Sequence, residues 1–454
     1  MHRDRLTFAF YGCFVVWGWF LYSFGPSVPL LADDFGITSA QAGLHGTAMA
    51  GGAVLAAFLT PRVVARWGRR PALLAALGLI VLGVVGLVLA PALWASLPAM
   101  FVIALGGNIA ISCAQPGLAF HHGEAASAAV TEANGVGSTI GLVGPLAVGL
   151  TVAIGWGWRP AVAVTIVLVA VTAWLTARRP VGGAMTPPTV GRRAVAAADR
   201  TVSGAATTTE TAAATETADE PHVTLAGPHG VDPVVGSVEA LALAVVSDDE
   251  TPAERRAWHA GLPAWCFLAA VVAAIALENA TTYWSTDLVR EQTGAGPGIA
   301  TATTAGLVAG MSAIRFVVGP MSLRVPPALL LAAGFVVAVA GWAVLWTSTE
   351  TVIALVGLFV AGLGYGVQYP LAISLLLSTA PHAGDAAQAR ATLAGGLAIG
   401  VAPFLLGALA DAVGMHAAFV VVPVIAVLGL AAAVLGGRLV GRPTATASVV
   451  EVTR

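Results

Sequence analysis

The stretch "VVAAIALENATTYWS", residues 271–285, decides the fold because it places a carboxylate inside a long apolar run. The run extends from about Leu262 to Thr286. A helix of about 20 apolar residues crosses the roughly 30 Å hydrocarbon core of a bilayer. Glu278 and Asn279 interrupt the run near its centre. The stretch therefore predicts a membrane-spanning helix that turns one polar face away from lipid.

The whole chain has the composition of a protein that crosses a membrane many times. Of its 454 residues, 57% are hydrophobic and 10% are charged, with a mean hydropathy of +0.86. A soluble domain carries about 25% charged residues. The net charge of −2 does not identify a partner. We expect a lipid bilayer and a small-molecule substrate as partners, no nucleic acid, and a monomer.

Apolar runs predict an all-α integral membrane protein with twelve transmembrane helices, arranged as two pseudo-symmetric six-helix bundles. The predicted spans, numbered 1 to 12, are roughly 7–32, 38–60, 71–92, 95–119, 129–153, 160–177, 263–286, 297–320, 327–346, 352–379, 391–411 and 415–437. The predicted domains are an N-terminal bundle at 1–177, a flexible cytoplasmic linker at 178–259, a C-terminal bundle at 260–438 and a cytoplasmic tail at 439–454.

The linker contains "GAATTTETAAATETADEP" and few large apolar residues, so it cannot bury enough surface to fold alone. Only "VEALALAVV", residues 238–246, has the pattern of a short surface helix.

The basic residues predict the orientation. The chain has 21 basic residues and all are arginine. With the N-terminus in the cytoplasm, every arginine except Arg159 and Arg290 falls on the cytoplasmic side, as the positive-inside rule requires. We therefore expect a multi-pass protein of the cytoplasmic (plasma) membrane with both termini in the cytoplasm.

The two halves also carry matching residues at an offset of 258 positions. Pro145 and Gly149 match Pro403 and Gly407, and Gly106 matches Gly364. This offset agrees with the six-plus-six arrangement and predicts an internal duplication. Transporters built from such repeats hold their substrate near the midplane, between the halves.

The connection between predicted spans 2 and 3 is "PRVVARWGRR", residues 61–70. It resembles the loop of the form G-x-L-A-D-R-x-G-R-R that the major facilitator superfamily has at this place. The matching residues of this cytoplasmic loop motif are Arg66, Gly68, Arg69 and Arg70. Pro61 replaces the first glycine, and Ala65 replaces the aspartate. In the family the aspartate helps to latch the cytoplasmic side of the two halves, so the resemblance implies that the arginines here lack that partner.

Span 5 carries "GLVGPLAVGL", which is similar to the Gly-Pro motif of the same family. The matching residues of this helix-five motif are Gly144, Pro145 and Gly149. Val148 stands where a second glycine is usual, and Val102 stands where span 4 often has an arginine. The resemblance implies a transporter whose central path is lined by spans 1, 4, 7 and 10.

Three charged residues fall inside the predicted spans: Glu132, Glu278 and Arg315. Glu132 and Arg315 lie near span ends, so we expect both to reach the membrane interface. Glu278 lies at a depth where a charge is costly, and such a residue normally faces a cavity or a partner. Burial favours the neutral form of a carboxyl group, so Glu278 is a candidate for proton coupling or for binding a cationic substrate. The alternative is a structural Glu278 that stays protonated and hydrogen-bonded to a neighbouring helix.

Long polar and aromatic side chains collect on the spans expected to line the path, whereas spans 3, 6, 9 and 12 are almost purely aliphatic. The candidate cavity residues are Tyr11, Trp19, Tyr22, Asn108, Ser112, Gln115, Asn279, Thr282, Tyr283, Tyr365, Gln368 and Tyr369. Several of these share one helical face, and Ser285 continues the face of Glu278 and Thr282.

These observations predict a secondary active transporter that moves a small solute by alternating access, with protons as the simplest coupling ion. A neutral or cationic, amphipathic solute is favoured, and both efflux and uptake stay open. "GPGIATATT" lacks the G-K-[ST] ending of a P-loop, so we expect no ATP hydrolysis and no enzyme activity. We expect no cofactor, and we interpret His121 and His122 as part of a solvated loop, without a metal. The alternatives are a polytopic enzyme of the lipid-linked sugar transferase type and a membrane sensor that does not transport.

Overall fold

The computed structural model describes residues 3–122, 126–178, 183–185, 261–322, 324–379 and 384–440. Within these ranges the regular secondary structure is helical, and no strand is present. The predicted surface helix at 238–246, and most of the predicted linker and tail, lie outside the described residues.

The structure has twelve units that are long and apolar enough to cross a membrane, which confirms the predicted fold class. Nine of the described spans are single helices: Ser39–Trp67, Arg69–Leu89, Leu93–His122, Arg159–Ala177, Leu262–Thr293, Pro297–Ser322, Pro327–Thr347, Thr351–Ser378 and Gly384–Val413. They form spans 2, 3, 4, 6, 7, 8, 9, 10 and 11. Span 1 joins helices Arg5–Phe24 and Val28–Phe35 through a 3-10 turn, Gly25–Ser27. Span 5 consists of Ala126–Gly141 and Val143–Ala153, and span 12 of Met415–Ala418 and Val421–Val440.

Exposed tryptophans mark the two membrane faces. We call the side where span 1 begins and span 12 ends the terminal face, and the other side the opposite face. Trp67, Trp174 and Trp265 are exposed near the terminal face, and Trp94 and Trp156 near the opposite face. Tryptophan is enriched at membrane–water interfaces because its ring is apolar and its N–H is polar. The two groups therefore bracket the apolar band that the spans present to lipid.

The predicted loop motif at 61–70 is almost entirely helical, which corrects the prediction of a loop. Span 2 continues through Pro61 to Trp67, and span 3 begins at Arg69. The only interruption is Gly68, whose φ of 84° a residue with a side chain rarely adopts. The proline is tolerated because neighbouring helices and side chains compensate for the lost backbone hydrogen bond in membrane helices. A single residue therefore joins two membrane spans.

The arginines of this joint have partners although Ala65 supplies no carboxylate. Arg69 donates a hydrogen bond of 3.0 Å to the carbonyl of Ala184, and Arg70 donates to the carbonyl of Ala177. Ala184 and Met185 are buried in a short 3-10 turn, Gly183–Met185, that packs against spans 3 and 4. Residues 183–185, which fall in the range predicted as linker, thus pack against the N-terminal bundle.

The internal duplication appears as equivalent glycine contacts in the two bundles. In each contact a glycine lies so close to a backbone carbonyl of a neighbouring helix that a side chain would not fit. In the N-terminal bundle, Gly52 contacts Phe101, Gly83 contacts Ala99 and Gly106 contacts Ala76. In the C-terminal bundle, the equivalent contacts are Gly310 with Phe359, Gly341 with Gly357 and Gly364 with Gly334. Every residue of the C-terminal contacts follows its N-terminal counterpart by 258 positions, the offset found in the sequence. Small residues permit such close packing in membranes.

Span 5 changes neighbours at its internal break. Before the break, Gly137 and Gly141 pack against span 1, where a side chain would meet Phe14 and Tyr22. After the break, Val143–Ala153 packs on span 8. Leu142 separates the two helices, and Pro145 lacks the N–H that would continue the hydrogen-bond pattern. The helix-five motif therefore lies where span 5 passes from its own bundle to the other one.

Asp4 caps the first helix, and its replacement is expected to lower the stability of the fold. Its carboxylate accepts hydrogen bonds from the backbone N–H groups of Leu6 (3.1 Å) and Thr7 (2.9 Å). Partial burial acts to raise the pKa of Asp4, but the hydrogen bonds from Thr7 and the nearby His121 outweigh it, so the pKa lies below the ordinary 3.8. We expect Asp4→Ala to lower the free energy of unfolding by about 1 kcal/mol at neutral pH.

Because the folded pKa is depressed, this stabilisation is complete above the ordinary value of 3.8 and is lost as the pH falls through the folded value. Thermal unfolding of the purified protein over a pH series would measure it. Asp4→Asn keeps a capping oxygen and should lose less than Asp4→Ala. Equal losses for the two variants, or a loss that is independent of pH, would contradict the assignment of Asp4 as a charged cap.

Candidate functional site

Glu278 lies at the middle of span 7. It is 16 positions after Leu262 and 15 before Thr293, or about 24 Å and 22 Å from the two helix ends at ~1.5 Å per residue. Its side chain is half-buried, whereas Leu277 and Ala280 beside it are buried. The carboxylate therefore borders a space inside the membrane region.

Charged and polar side chains from three other spans lie within electrostatic range of Glu278. They are Arg315 of span 8, Tyr22 of span 1 and Tyr365 of span 10. We call Tyr22, Glu278, Arg315 and Tyr365 the Glu278 cluster. The hydroxyl of Tyr365 is 2.9 Å from that of Thr281, one turn from Glu278. The hydroxyl of Tyr22 is buried and has no hydrogen-bond partner among the described residues. The cluster joins both bundles at mid-membrane.

Arg315 contacts span 5 of the other bundle. It is half-buried, and its Nη1 atom is 3.5 Å from the hydroxyl of Ser138 on span 5. Its Nε atom is buried without a partner among the described residues. The helix of span 8 ends at Ser322, seven positions after Arg315 and two after the predicted end of the span. That Arg315 reaches the interface stays a prediction.

Glu132 behaves as predicted. Its carboxylate forms an ion pair with Arg3 at the terminal face, with an N–O distance of 2.5 Å. Tyr11, one of the predicted cavity residues, interacts with this same pair. Tyr11 and Glu132 thus lie near the terminal face, away from the Glu278 cluster.

Buried polar atoms without partners concentrate on the spans around the cluster. Within the described part of the chain, these atoms on spans 1, 4, 5, 7, 8 and 10 belong to Tyr11, Tyr22, Ser112, Gln115, Asn134, Tyr283, Ser285, Gln292, Ser312, Arg315 and Gln368. A buried polar group left unpaired costs about 1–3 kcal/mol. Of these, the hydroxyl of Tyr22 and the Nε atom of Arg315 belong to the Glu278 cluster and can bind water or a polar solute there.

Other predicted cavity residues bond within their own bundle. The indole of Trp19 donates to the carbonyl of Ala161 on span 6 (3.0 Å), and Gln368 donates to the carbonyl of Gly334 on span 9 (3.4 Å). Asn108 and Asn279 each donate to a carbonyl one turn earlier in the same helix. The structure does not bring these four amide and indole nitrogens to the Glu278 cluster.

The remaining candidates on span 7 face span 1. The ring of Tyr283 is 6.5 Å from that of Phe24, and the methyl group of Thr282 lies against Gly25. Tyr369 of span 10 is buried. Thr281, which bonds to Tyr365, was not among the candidates. It follows Glu278 by three positions, so the i, i+3 relation on a helix face could have identified it.

The bundles are joined near the opposite face, and we call this set of contacts the opposite gate. Arg290 of span 7 forms an ion pair with Asp33 of span 1 (2.7 Å). Thr47 of span 2 donates to the carbonyl of Gly400 on span 11 (2.6 Å). Spans 5 and 8 meet through Gly149 and Gly298. The structure is therefore closed at the opposite face.

Two related bundles of membrane helices around a polar interior define the class of polytopic transport proteins. The family model of the Major Facilitator Superfamily matches residues 8–387 and 266–451. The chain belongs to this superfamily, which confirms the resemblance seen in the sequence. No curated protein sequence matches the chain.

Solved transporters share the fold across almost the whole chain. A D-xylose-proton symporter matches with a TM-score of 0.68 and 13% identity, covering 96% of this chain and 97% of its own. An inward-facing bacterial homologue of the human lysosomal transporter Spinster matches with 0.66 and 14%, covering 96% of each chain. The nucleoside transporter NupG matches with 0.64 and 10%, covering 97% and 99%. At these identities the likeness shows the fold alone.

Proposed function

We propose that the protein is a secondary active transporter that moves a small solute by alternating access and couples this movement to protons through Glu278. The observation that carries the proposal is a half-buried carboxylate at the centre of span 7, at the junction of two bundles. A charged group at such a depth is costly, and in membrane proteins it marks an ion or substrate path.

Arg315 gives Glu278 a partner with which a proton can compete. When Glu278 is ionised, the guanidinium is its nearest positive countercharge in the cluster. When Glu278 takes up a proton, Arg315 is free to bind an acceptor oxygen of the solute. The exchange would link the protonation state of one residue to solute binding at its neighbour.

The polar groups of the cluster favour a neutral or cationic, amphipathic solute. The hydroxyl groups of Tyr22 and Tyr365 supply hydrogen bonds, and Glu278 supplies the negative charge. Arg315 adds one donor that would accommodate an oxygen acceptor. A D-xylose-proton symporter and a nucleoside transporter share the fold, which supports a polar solute and proton coupling here.

The arginine distribution supports a terminal face in the cytoplasm. Arg159 and Arg290 lie at the opposite face, and the connections at the terminal face carry the paired arginines Arg69 and Arg70. We place the protein in the plasma membrane as a monomer, with residues 178–259 linking the bundles on the cytoplasmic side.

Solute counterflow tests the proposal. Proteoliposomes loaded with unlabelled D-xylose, uridine or tetraphenylphosphonium would be diluted into a trace of the same labelled compound. We expect transient accumulation of at least one compound above the level in protein-free liposomes. Absence of counterflow with all three, together with absence of proton release from Glu278, would contradict transport and favour the enzyme or sensor interpretations.

A further inference from the structure

Asp411, near the end of span 11, binds the beginning of span 2 in the other bundle. Its two carboxylate oxygens accept hydrogen bonds from the backbone N–H groups of Ser39 and Ala40, both at 2.8 Å. The first N–H groups of a helix have no partner within the helix, and they carry a partial positive charge. Asp411 therefore bonds to two free donors and holds spans 2 and 11 together at the opposite face.

Spans 5 and 8, which also meet in the opposite gate, lack such a carboxylate. The residue equivalent to Asp411 in the N-terminal bundle, 258 positions earlier, is Ala153. Ala153 lies against Gly298 at the beginning of span 8, where helix Pro297–Ser322 offers the N–H of Gly298. Pro297, the equivalent of Ser39, has no N–H. Spans 5 and 8 therefore meet as spans 2 and 11 do, but with one equivalent donor fewer and without a carboxylate.

At the terminal face, the joint between spans 2 and 3 makes its arginine contacts within one bundle. There Ala65 occupies the position at which the family has its latching aspartate, and Arg69 and Arg70 bind carbonyl groups of their own bundle. Two of the charged contacts between bundles in the described residues, Asp33 with Arg290 and Asp411 with the start of span 2, lie near the opposite face. A third joins Arg315 to Ser138 beside the Glu278 cluster.

We propose that Asp411 is a positioning residue of the transport cycle, which sets how long the opposite gate stays closed. Each opening separates its carboxylate from Ser39 and Ala40. The proposal goes beyond the transport function and rests on the alternating movement proposed for it.

Chemical labelling of a buried cysteine tests the proposed role of Asp411 without any solute. Thr286 is buried beneath the gate, and its hydroxyl is 3.3 Å from the carbonyl of Pro26 in the other bundle. Thr286→Cys would be introduced after replacement of the native Cys13, Cys113 and Cys266 by alanine. A membrane-impermeant maleimide added to intact cells or to inside-out vesicles reaches one face at a time.

We expect Asp411→Ala to increase the rate of labelling from the opposite face about tenfold, equivalent to about 1.4 kcal/mol in the gate equilibrium. Asp411→Asn keeps one acceptor oxygen and should give a smaller increase. Glu350→Gln is the matched control, because Glu350 is an exposed carboxylate at the same face and its side chain does not cap its helix. An unchanged rate in Asp411→Ala, or an equal increase in Glu350→Gln, would overturn the proposal.

A rescue experiment tests whether Asp411 acts as a latch, that is, as a bond that holds the two bundles together, or whether its replacement only damages span 11 locally. Adding Ala153→Asp to Asp411→Ala places a carboxylate at the equivalent position, next to the N–H of Gly298 at the start of span 8. Because Pro297 supplies no second donor, we expect it to restore slow labelling in part. If Asp411→Ala labels quickly and Ala153→Asp does not slow it, the effect belongs to the end of span 11 itself and the latch is refuted. Because no solute is used, these outcomes do not depend on whether counterflow is found.

Discussion

Glu278→Gln is expected to abolish proton-driven uptake while the protein still folds and inserts. The substitution keeps the size and the hydrogen-bonding capacity of the side chain but removes its ability to bind and release a proton. We expect a loss of about 100-fold or more, which is typical for removal of a positioned proton-transfer group. Counterflow, which needs no net proton movement, should persist.

Proton release from the purified protein without solute provides the direct measurement. Over a pH series, the wild type should release one proton more than Glu278→Gln. Glu132→Gln is the matched control, because Glu132 is a half-buried carboxylate like Glu278 but lies at the terminal face, paired with Arg3. Identical release by Glu278→Gln and the wild type would mean that Glu278 keeps one protonation state. It would then be a structural hydrogen-bond partner in a uniporter or a carrier coupled in another way.

Gly149→Leu is expected to stop transport by holding the opposite gate open. A Cβ atom at Gly149 would lie 2.5 Å from the carbonyl oxygen of Gly298 and 2.8 Å from the Cβ of Ala302. Both atoms belong to the other bundle, and a backbone carbonyl cannot rotate away as a long side chain can. Overpacking costs about 1–3 kcal/mol, which changes the population of the closed state by up to about 100-fold.

Gly135→Leu is the control on the same span. A side chain at Gly135 would have no atom within 4 Å, so this variant adds the same bulk without separating the bundles. We expect Gly135→Leu to transport like the wild type and Gly149→Leu to lose counterflow, with similar melting temperatures. Wild-type counterflow in Gly149→Leu would show that the gate does not need this contact.

The fold could be predicted because each span is a long apolar run and because the duplication leaves glycines at a fixed offset. The joint at Gly68 could not, because Pro61 and four arginines nearby are typical of a loop in the sequence alone. In the structure the helix of span 2 continues through Pro61, and one glycine is enough to reverse the chain. Tertiary packing, which a local pattern does not contain, decided the outcome.

The site was predictable only in part. Glu278 stands out because a carboxylate in an apolar run is costly. The contact of Arg315 with Ser138 could not be predicted, because counting turns along a span does not reveal which helices approach it. Asp411 resembles an ordinary interfacial carboxylate, and the groups that it binds are 371 and 372 positions away in the chain. Contacts between bundles depend on the assembled fold.

The closed gate also has a consequence for pharmacology. A compound that arrives from the opposite face can bind only to the fraction of molecules whose gate is open, so its apparent dissociation constant is raised by the inverse of that fraction. A blocker that reaches the Glu278 cluster while the gate stays shut bears no such penalty. Two inhibitors with the same intrinsic affinity should therefore differ in potency according to the side of the membrane from which they are applied.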